Sequence, residues 1–164
     1  MEYQRVTHEF EPIYDEHSNI LILGSLPSVK SREQGFYYGH PQNRFWRVIA
    51  ALTGEPVPET IAEKKRLLLA HGIAVWDVIE SCEIIGSSDS SIRNVKINDF
   101  GRLLSELPDL RLYANGTKAY ELYQKYAFPQ TGRKAIKLPS TSPANASWGI
   151  ERLCGEWRRL LEWE

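Results

Sequence analysis

The chain is short of cysteine, of methionine and of net charge. Its 164 residues include two cysteines and one methionine. Cys82 and Cys154 are too few for a four-thiolate zinc or iron–sulfur site, and they lack the short spacing of a redox pair. Two buried, reduced thiols are expected. Lys and Arg number 20 against 21 Asp and Glu, a net charge of −1. That excludes a uniformly basic nucleic-acid binder. A local basic groove stays open, because fields follow placement rather than totals. No apolar run approaches the ~18 residues of a membrane span. The opening stretch MEYQRVTHEFEPIYDEHSN has no apolar core, so no signal peptide is expected and the protein is placed in the cytoplasm.

What is present suits one folded domain over 1–164. The composition, 42% hydrophobic and 25% charged, excludes a disordered or fibrous chain. A chain of this length buries roughly 70% of its unfolded surface, so one core suffices without staples. Five Trp and eight Tyr are a high aromatic load, serving cores or stacking platforms for bases.

Apolar runs and helical stripes alternate. Ile20 to Leu23, Ile73 to Trp76, Leu110 to Ala114 and Lys134 to Leu138 read as strands. Phe45, Val48, Ile49 and Leu52 give a helix stripe stopped near Gly54. Pro58 to Ala70 reads as a second helix ending at Gly72. Asn98 is expected to cap a third, burying Phe100, Leu103, Leu104 and Leu107 before Pro108. Ala119, Leu122, Tyr123 and Tyr126 mark a fourth. Ile150, Leu153, Cys154, Trp157 and Leu161 mark the buried face of the last. Such alternation predicts a three-layer α/β/α sandwich around a central four-stranded, mainly parallel sheet. Right-handed crossovers then gather the loops after Gly24, Asp77, Asn115 and Leu138 at one sheet edge, where ligands of such folds sit.

Two of these loops are rich in Gly, Pro and Ser. One begins Gly24-Ser25-Leu26-Pro27-Ser28, and the other reads Pro139-Ser140-Thr141-Ser142-Pro143-Ala144-Asn145. Exposed backbone N–H groups there can hold a phosphate or a carbonyl oxygen, so the loops could pinch a nucleic-acid backbone. Taken singly, such a loop reads first as a rigid turn with no ligand.

Taken together, GSLPS, YYGHPQNRFW, WDVI, GSSDSSI, YANGTKA and LPSTSPANASW resemble the uracil-DNA glycosylase superfamily, in its deoxyinosine (hypoxanthine) branch. The resemblance runs from Ile20 to the last helix and is strongest over YYGHPQNRFW. It implies a sandwich that works without cofactor or metal, flips a deaminated base out of DNA and hydrolyses its N-glycosidic bond.

The resemblance places the catalytic Asn at Asn43, where a carboxamide would position water through its carbonyl. Asn43 could also cap the helix behind it. His40 could protonate or polarise a departing purine, or be a surface residue. His8, His17 and His71 look structural. Tyr37 and Tyr38 are candidates to stack on the flipped base, or to anchor their loop on the core. Gly24, Ser25 and Leu26 are expected to line the base site. Leu26 stands where much of the superfamily has Asn or Asp, which moves the catalytic duty to Asn43. Asn115 is expected to read O6 and N1–H of hypoxanthine with one carboxamide, or else to form a turn with Gly116. Ser140, Thr141, Ser142, Ala144 and Asn145, with Pro27 and Ser28 opposite, are expected to grip phosphates and wedge the minor groove. Lys30, Arg32, Arg44, Lys118 and Lys137 would help. Asp77 and Asp89 could add a carboxylate, although Asp77 also suits a turn cap.

The expected function is a monofunctional, monomeric DNA glycosylase acting on deaminated bases in duplex or single-stranded DNA, hypoxanthine first. A uracil glycosylase for G/U mismatches is the alternative within the enzyme class. A non-catalytic nucleotide- or damaged-DNA-binding α/β module is the alternative outside it.

Overall fold

The computed structural model describes residues 2–7, 10–26, 36–86 and 88–161. His8, Pro27, Ser28, Lys30 and Arg32 lie outside the described residues, and so does the side chain of Asp89. The central sheet holds β2 (Ile20–Gly24), β3 (Ile73–Asp77), β6 (Arg111–Asn115) and β7 (Ala135–Leu138), in the order β3-β2-β6-β7. All three pairings are parallel, and the strand ends align: Gly24 lies opposite Asp77, and Asn115 opposite Leu138. The four expected loops therefore do open at one edge.

β2 is buried on both faces, and Leu21, Ile22 and Leu23 have no exposed surface. Each such side chain contributes ~1.5–3 kcal/mol on burial. Ile20 and Ile22 pack with α1 (Phe45–Thr53), α2 (Ile61–Ala70) and α5 (Ile150–Trp157). Leu21 and Leu23 pack with α3 (Phe100–Glu106) and α4 (Thr117–Leu122) on the other face. α4 runs on through a π-turn at Tyr123–Ala127 into a last turn at Phe128–Thr131.

Several expectations are corrected. A second, antiparallel sheet was not foreseen: β1 (Gln4–Thr7), β4 (Ile79–Ile84) and β5 (Arg93–Ile97), in the order β1-β4-β5. The chain passes from β3 into β4 across Val78 alone, so the loop after Asp77 leads to a strand and not to a helix. α2 starts at Ile61 rather than Pro58, because Thr60 and Glu63 form a capping box. Asp99, not Asn98, caps α3, its carboxylate accepting from Gly101 N–H at 2.9 Å. Asn98 is buried and donates to the carbonyls of Asp77 and Ile79 at 2.8 and 3.3 Å, which pins the β3–β4 junction. On the last helix Leu153 and Trp157 are buried, but Ile150 and Leu161 are 38% and 48% exposed. Leu160 fills the core position expected of Leu161. Cys82 is buried, Cys154 is half-buried, and both are free thiols.

Candidate active site

A cleft of about 1200 Å³ opens at the C-terminal edge of the parallel sheet. Its wall includes Gly24, Ser25, Leu26, Tyr37, Tyr38, His40, Asn43, Asp77 and Asn115, then Lys118 and the loop from Pro139 to Asn145. The described residues expected for catalysis, base binding and the jaw, with Lys118 and Lys137, are therefore brought together, and Arg44 is not on this wall. Their roles differ from the expectation in several places.

The floor is set by Gly24. A Cβ there would lie 2.3 Å from Asp77 Oδ1 and 3.1 Å from the Tyr38 hydroxyl, so only glycine fits. Asp77 is 3% exposed and lies beside this floor. Tyr38 takes a left-handed backbone, φ 53°, and stacks on Phe45 with ring centroids 4.0 Å apart. Burial, and the Asp77 carboxylate, push its phenol well above the usual tyrosine range. The Asn115 carboxamide beside it pulls the other way, although the buried hydroxyl makes no hydrogen bond of good geometry among the described residues. Leu26 is half-buried and packs on the apolar cluster beneath the opposite face of the sheet.

Thr141 joins the two asparagines. Its backbone N–H donates to Asn115 Oδ1 at 3.1 Å, and Asn115 Nδ2 donates to its hydroxyl at 3.0 Å. That hydroxyl in turn donates to Asn43 Oδ1 at 2.8 Å. Asn43 Oδ1 also accepts from Phe45 N–H at 2.9 Å. Backbone N–H groups can only donate, so both carboxamides are fixed in orientation. Among the described residues nothing accepts from Asn43 Nδ2. His40 Nδ1 accepts from Gln42 N–H at 3.1 Å, which leaves the proton of the neutral ring on Nε2.

Arg44 organises the far jaw. Its guanidinium donates to the carbonyls of Thr141 (3.3 Å), Ser142 (2.9 Å), Asn145 (3.1 Å) and Trp148. Its backbone N–H donates to Thr141 O at 3.0 Å. The jaw is further held by Asn145 Nδ2 donating to Ser140 O, and by Trp157 Nε1 donating to Pro139 O. Ser140 and Ser142 hydroxyls accept from the backbone N–H groups of Ser142 and Ala144, so each keeps its proton to donate outward. Gly116 enters α4 at φ 96° and admits Ser140, whose Cβ would lie 2.9 Å from any added side chain.

The model of the uracil DNA glycosylase superfamily matches residues 11–161. The chain belongs to that superfamily. It is 41% identical over 154 residues to a hypoxanthine DNA glycosylase of Methanosarcina acetivorans, covering 93% of this chain and 96% of that protein. A hypoxanthine DNA glycosylase of Methanosarcina barkeri is 40% identical over 68% of this chain and 72% of its own. A G/U mismatch-specific uracil DNA glycosylase of Schizosaccharomyces pombe is 28% identical over 77% of this chain and 38% of its own length. The solution NMR structure of a candidate uracil DNA glycosylase from Methanosarcina acetivorans superposes with a TM-score of 0.76 at 37% identity, covering 97% of this chain and all of that one.

For this superfamily member the geometry corrects five expected roles. Tyr37 is 2% exposed, its hydroxyl donates to Glu11 O, and its ring sits edge-on to Phe10 and Phe36. It anchors the core, which leaves Tyr38 as the stacking candidate. Thr141 has no exposed surface and does not reach a phosphate. Arg44 is tied to jaw carbonyls rather than presented to DNA. The Asn43 carbonyl, expected to orient water, already accepts two hydrogen bonds. Asn115 uses on Thr141 the one edge where its donor and acceptor lie side by side, so it does not read a base with two parallel bonds. Its remaining lone pair and N–H diverge.

Sequence reasoning also passed over Trp148 and Arg159 on the cleft wall. The Arg152 guanidinium lies 3.7 Å from the centroid of the Trp148 ring. Of the remaining histidines, His17 is exposed beside Glu16 and His71 lies 2.6 Å from Glu55, both away from the cleft.

Proposed function

We propose that this protein is a monofunctional DNA glycosylase that removes hypoxanthine from DNA by hydrolysis. The observation that carries this is Asn43, held by Phe45 N–H and Thr141 with its amide N–H groups unengaged by any described residue, on the wall of a cleft shared with Tyr38 and Asn115. The likeness to two hypoxanthine DNA glycosylases supports the base.

Extrusion of the damaged nucleotide costs a few kcal/mol and is easiest at a mispaired base. One face of Tyr38 is covered by Phe45, and stacking on the other would return ~1–3 kcal/mol. In the reaction the C1′–N9 bond breaks and its electron pair leaves with the purine. Water oxygen bonds to C1′, and its proton passes to solvent or to the purine anion. Negative charge thus grows on the base, over N3, N7 and O6. The Asn43 amide N–H groups suit that charge, as donors placed in advance where it develops. Asn115 contributes a single bond, and the His40 Nε2–H is a further donor on the same wall.

The jaw serines and their backbone would hold phosphates on duplex or single-stranded DNA, with the protein acting as a monomer. Lys118, Lys137 and Arg159 stand on the cleft wall beside Glu121 and Glu156. Few phosphate contacts follow, and log Kd against log salt is expected to have a slope of magnitude about 2–4, at ~0.9 per contact. A magnitude near 8 would reveal a basic surface outside the cleft.

The function is tested with a duplex carrying one deoxyinosine. Strand breaks that appear only after alkali are expected. Breaks without alkali would mean a lyase step, and none at all would leave a binding module. Uracil opposite guanine is the second substrate, because of the likeness to the Schizosaccharomyces pombe enzyme. Faster excision of uracil than of hypoxanthine would overturn the choice of base.

A further inference from the structure

We infer that Thr141 is a positioning residue for base excision: its hydroxyl and backbone N–H orient the Asn43 and Asn115 carboxamides as one unit. This rests on the proposed function and adds a residue that does not touch the substrate. Thr141 has no exposed surface, so it acts only through its neighbours. Its hydroxyl accepts from Asn115 and donates to Asn43, so the proton order along the three residues has one direction. Reversing Asn43 would point its amide N–H groups at the N–H of Phe45, where an acceptor is required. The arrangement therefore presents donors from Asn43, which suits the acceptors of hypoxanthine and opposes a base that offers its own donor there.

Three segments far apart in sequence meet at this point: Asn43 two residues before α1, the end of β6 and the loop after β7. Arg44 closes the same loop from behind through the carbonyls of Thr141 and Ser142, so the backbone that carries the hydroxyl is held as well. The unit is not a general feature of a polar loop. The hydroxyls of Ser140 and Ser142, its neighbours, bond among the described residues only to backbone nearby.

The test compares Thr141→Ser, Thr141→Val and Thr141→Ala in single-turnover excision of hypoxanthine. Serine keeps the hydroxyl and should stay within about threefold of wild type. Valine keeps the shape and should lose about 10- to 100-fold, the scale on which outer supports of a site act. Alanine should behave like valine and serves where valine does not fold. DNA Kd should hold within about twofold for all three. In an Asn43→Ala background, Thr141→Val should add less than about threefold, because residues acting as a unit are not additive.

A second readout needs no catalysis. The side-chain NH2 resonances of Asn43 and Asn115 should both shift in Thr141→Val and hold in Thr141→Ser. A wild-type protein that leaves deoxyinosine intact overturns the proposed function, and these resonances then decide the positioning role alone. Valine and serine variants with equal rates and unmoved resonances would overturn the inference. So would a valine loss of the same size with and without Asn43.

Discussion

Replacing Asn43 by Ala should slow single-turnover excision of hypoxanthine at least ~100-fold, with Kd for inosine-containing duplex within about twofold. Loss of one donor aimed at developing charge costs ~10²–10³ in rate. Ground-state binding, by contrast, rests on the jaw and on stacking. The substitution also removes the acceptor for Phe45 N–H at the start of α1. That contributes about 1 kcal/mol, a fall in Tm of roughly 2–4 °C for a domain of this size. Asn43→Asp separates the chemistry from the cap. A carboxylate keeps both accepted bonds, from Phe45 and Thr141, and loses the amide donors. It should therefore be as inactive as Asn43→Ala while recovering the Tm. An Asn43→Asp variant close to wild-type rate would return the duty to the carbonyl oxygen, and with it the orientation of water.

The legible part of the molecule is the part built on unbroken apolar runs. Ile20 to Leu23 is buried on both faces, and that environment admits only a continuous hydrophobic strand. Four such runs separated by helical stripes fix the parallel sheet and the edge at which its loops open. The second sheet was hidden for two reasons. β4 follows β3 after one residue, so two strands of different sheets read as one segment and a tail. β5 is half-buried at best, and Arg93, Asn94 and Lys96 face solvent, so only Val95 and Ile97 mark it, an alternation too short to stand out. The Asn98 and Asp99 exchange has a similar origin. Two residues of like chemistry stand side by side, and which one caps α3 depends on a carbonyl contact to the β3–β4 junction.

In the cleft, sequence identified the residues better than the bonds between them. Gly24, Asn43, Asn115 and the jaw loop are all on the wall. Thr141 lies in a run of five hydroxyl- and proline-bearing residues, and nothing local separates its buried position from the accessible ones beside it. Tyr37 and Tyr38 are neighbours of one chemical type. A left-handed turn at Tyr38 sends one ring to the core and the other to the cleft. Long-range side-chain to backbone bonds carry no local pattern, and these decide what Asn43, Asn115 and Arg44 do.

Arg44→Lys is expected to lower both stability and excision, although the charge is kept. The guanidinium reaches carbonyls of Thr141, Ser142, Asn145 and Trp148 from one planar fork. An ammonium has three donors at one point and does not span this set. Hydrogen bonds to charged groups contribute ~1.5–3 kcal/mol each. Losing the equivalent of one or two, with partial rehydration of the loop, should cost about 2–4 kcal/mol, or roughly 4–16 °C in Tm at ~2–4 °C per kcal/mol. The jaw also carries Thr141, so its slackening reaches the two asparagines, and a misplacement of ~1 Å costs on the order of 10²-fold in rate. Excision from duplex should fall about 10- to 100-fold. Arg44→Ala should do at least as much damage. The salt dependence of binding decides between this clamp and a direct phosphate contact. A clamp leaves the slope of log Kd against log salt unchanged in Arg44→Ala, because no counterion is displaced at that residue. A phosphate contact reduces its magnitude by ~0.9. An Arg44→Ala protein with wild-type Tm and a slope shallower by that amount would place Arg44 on the DNA and leave the jaw to hold itself.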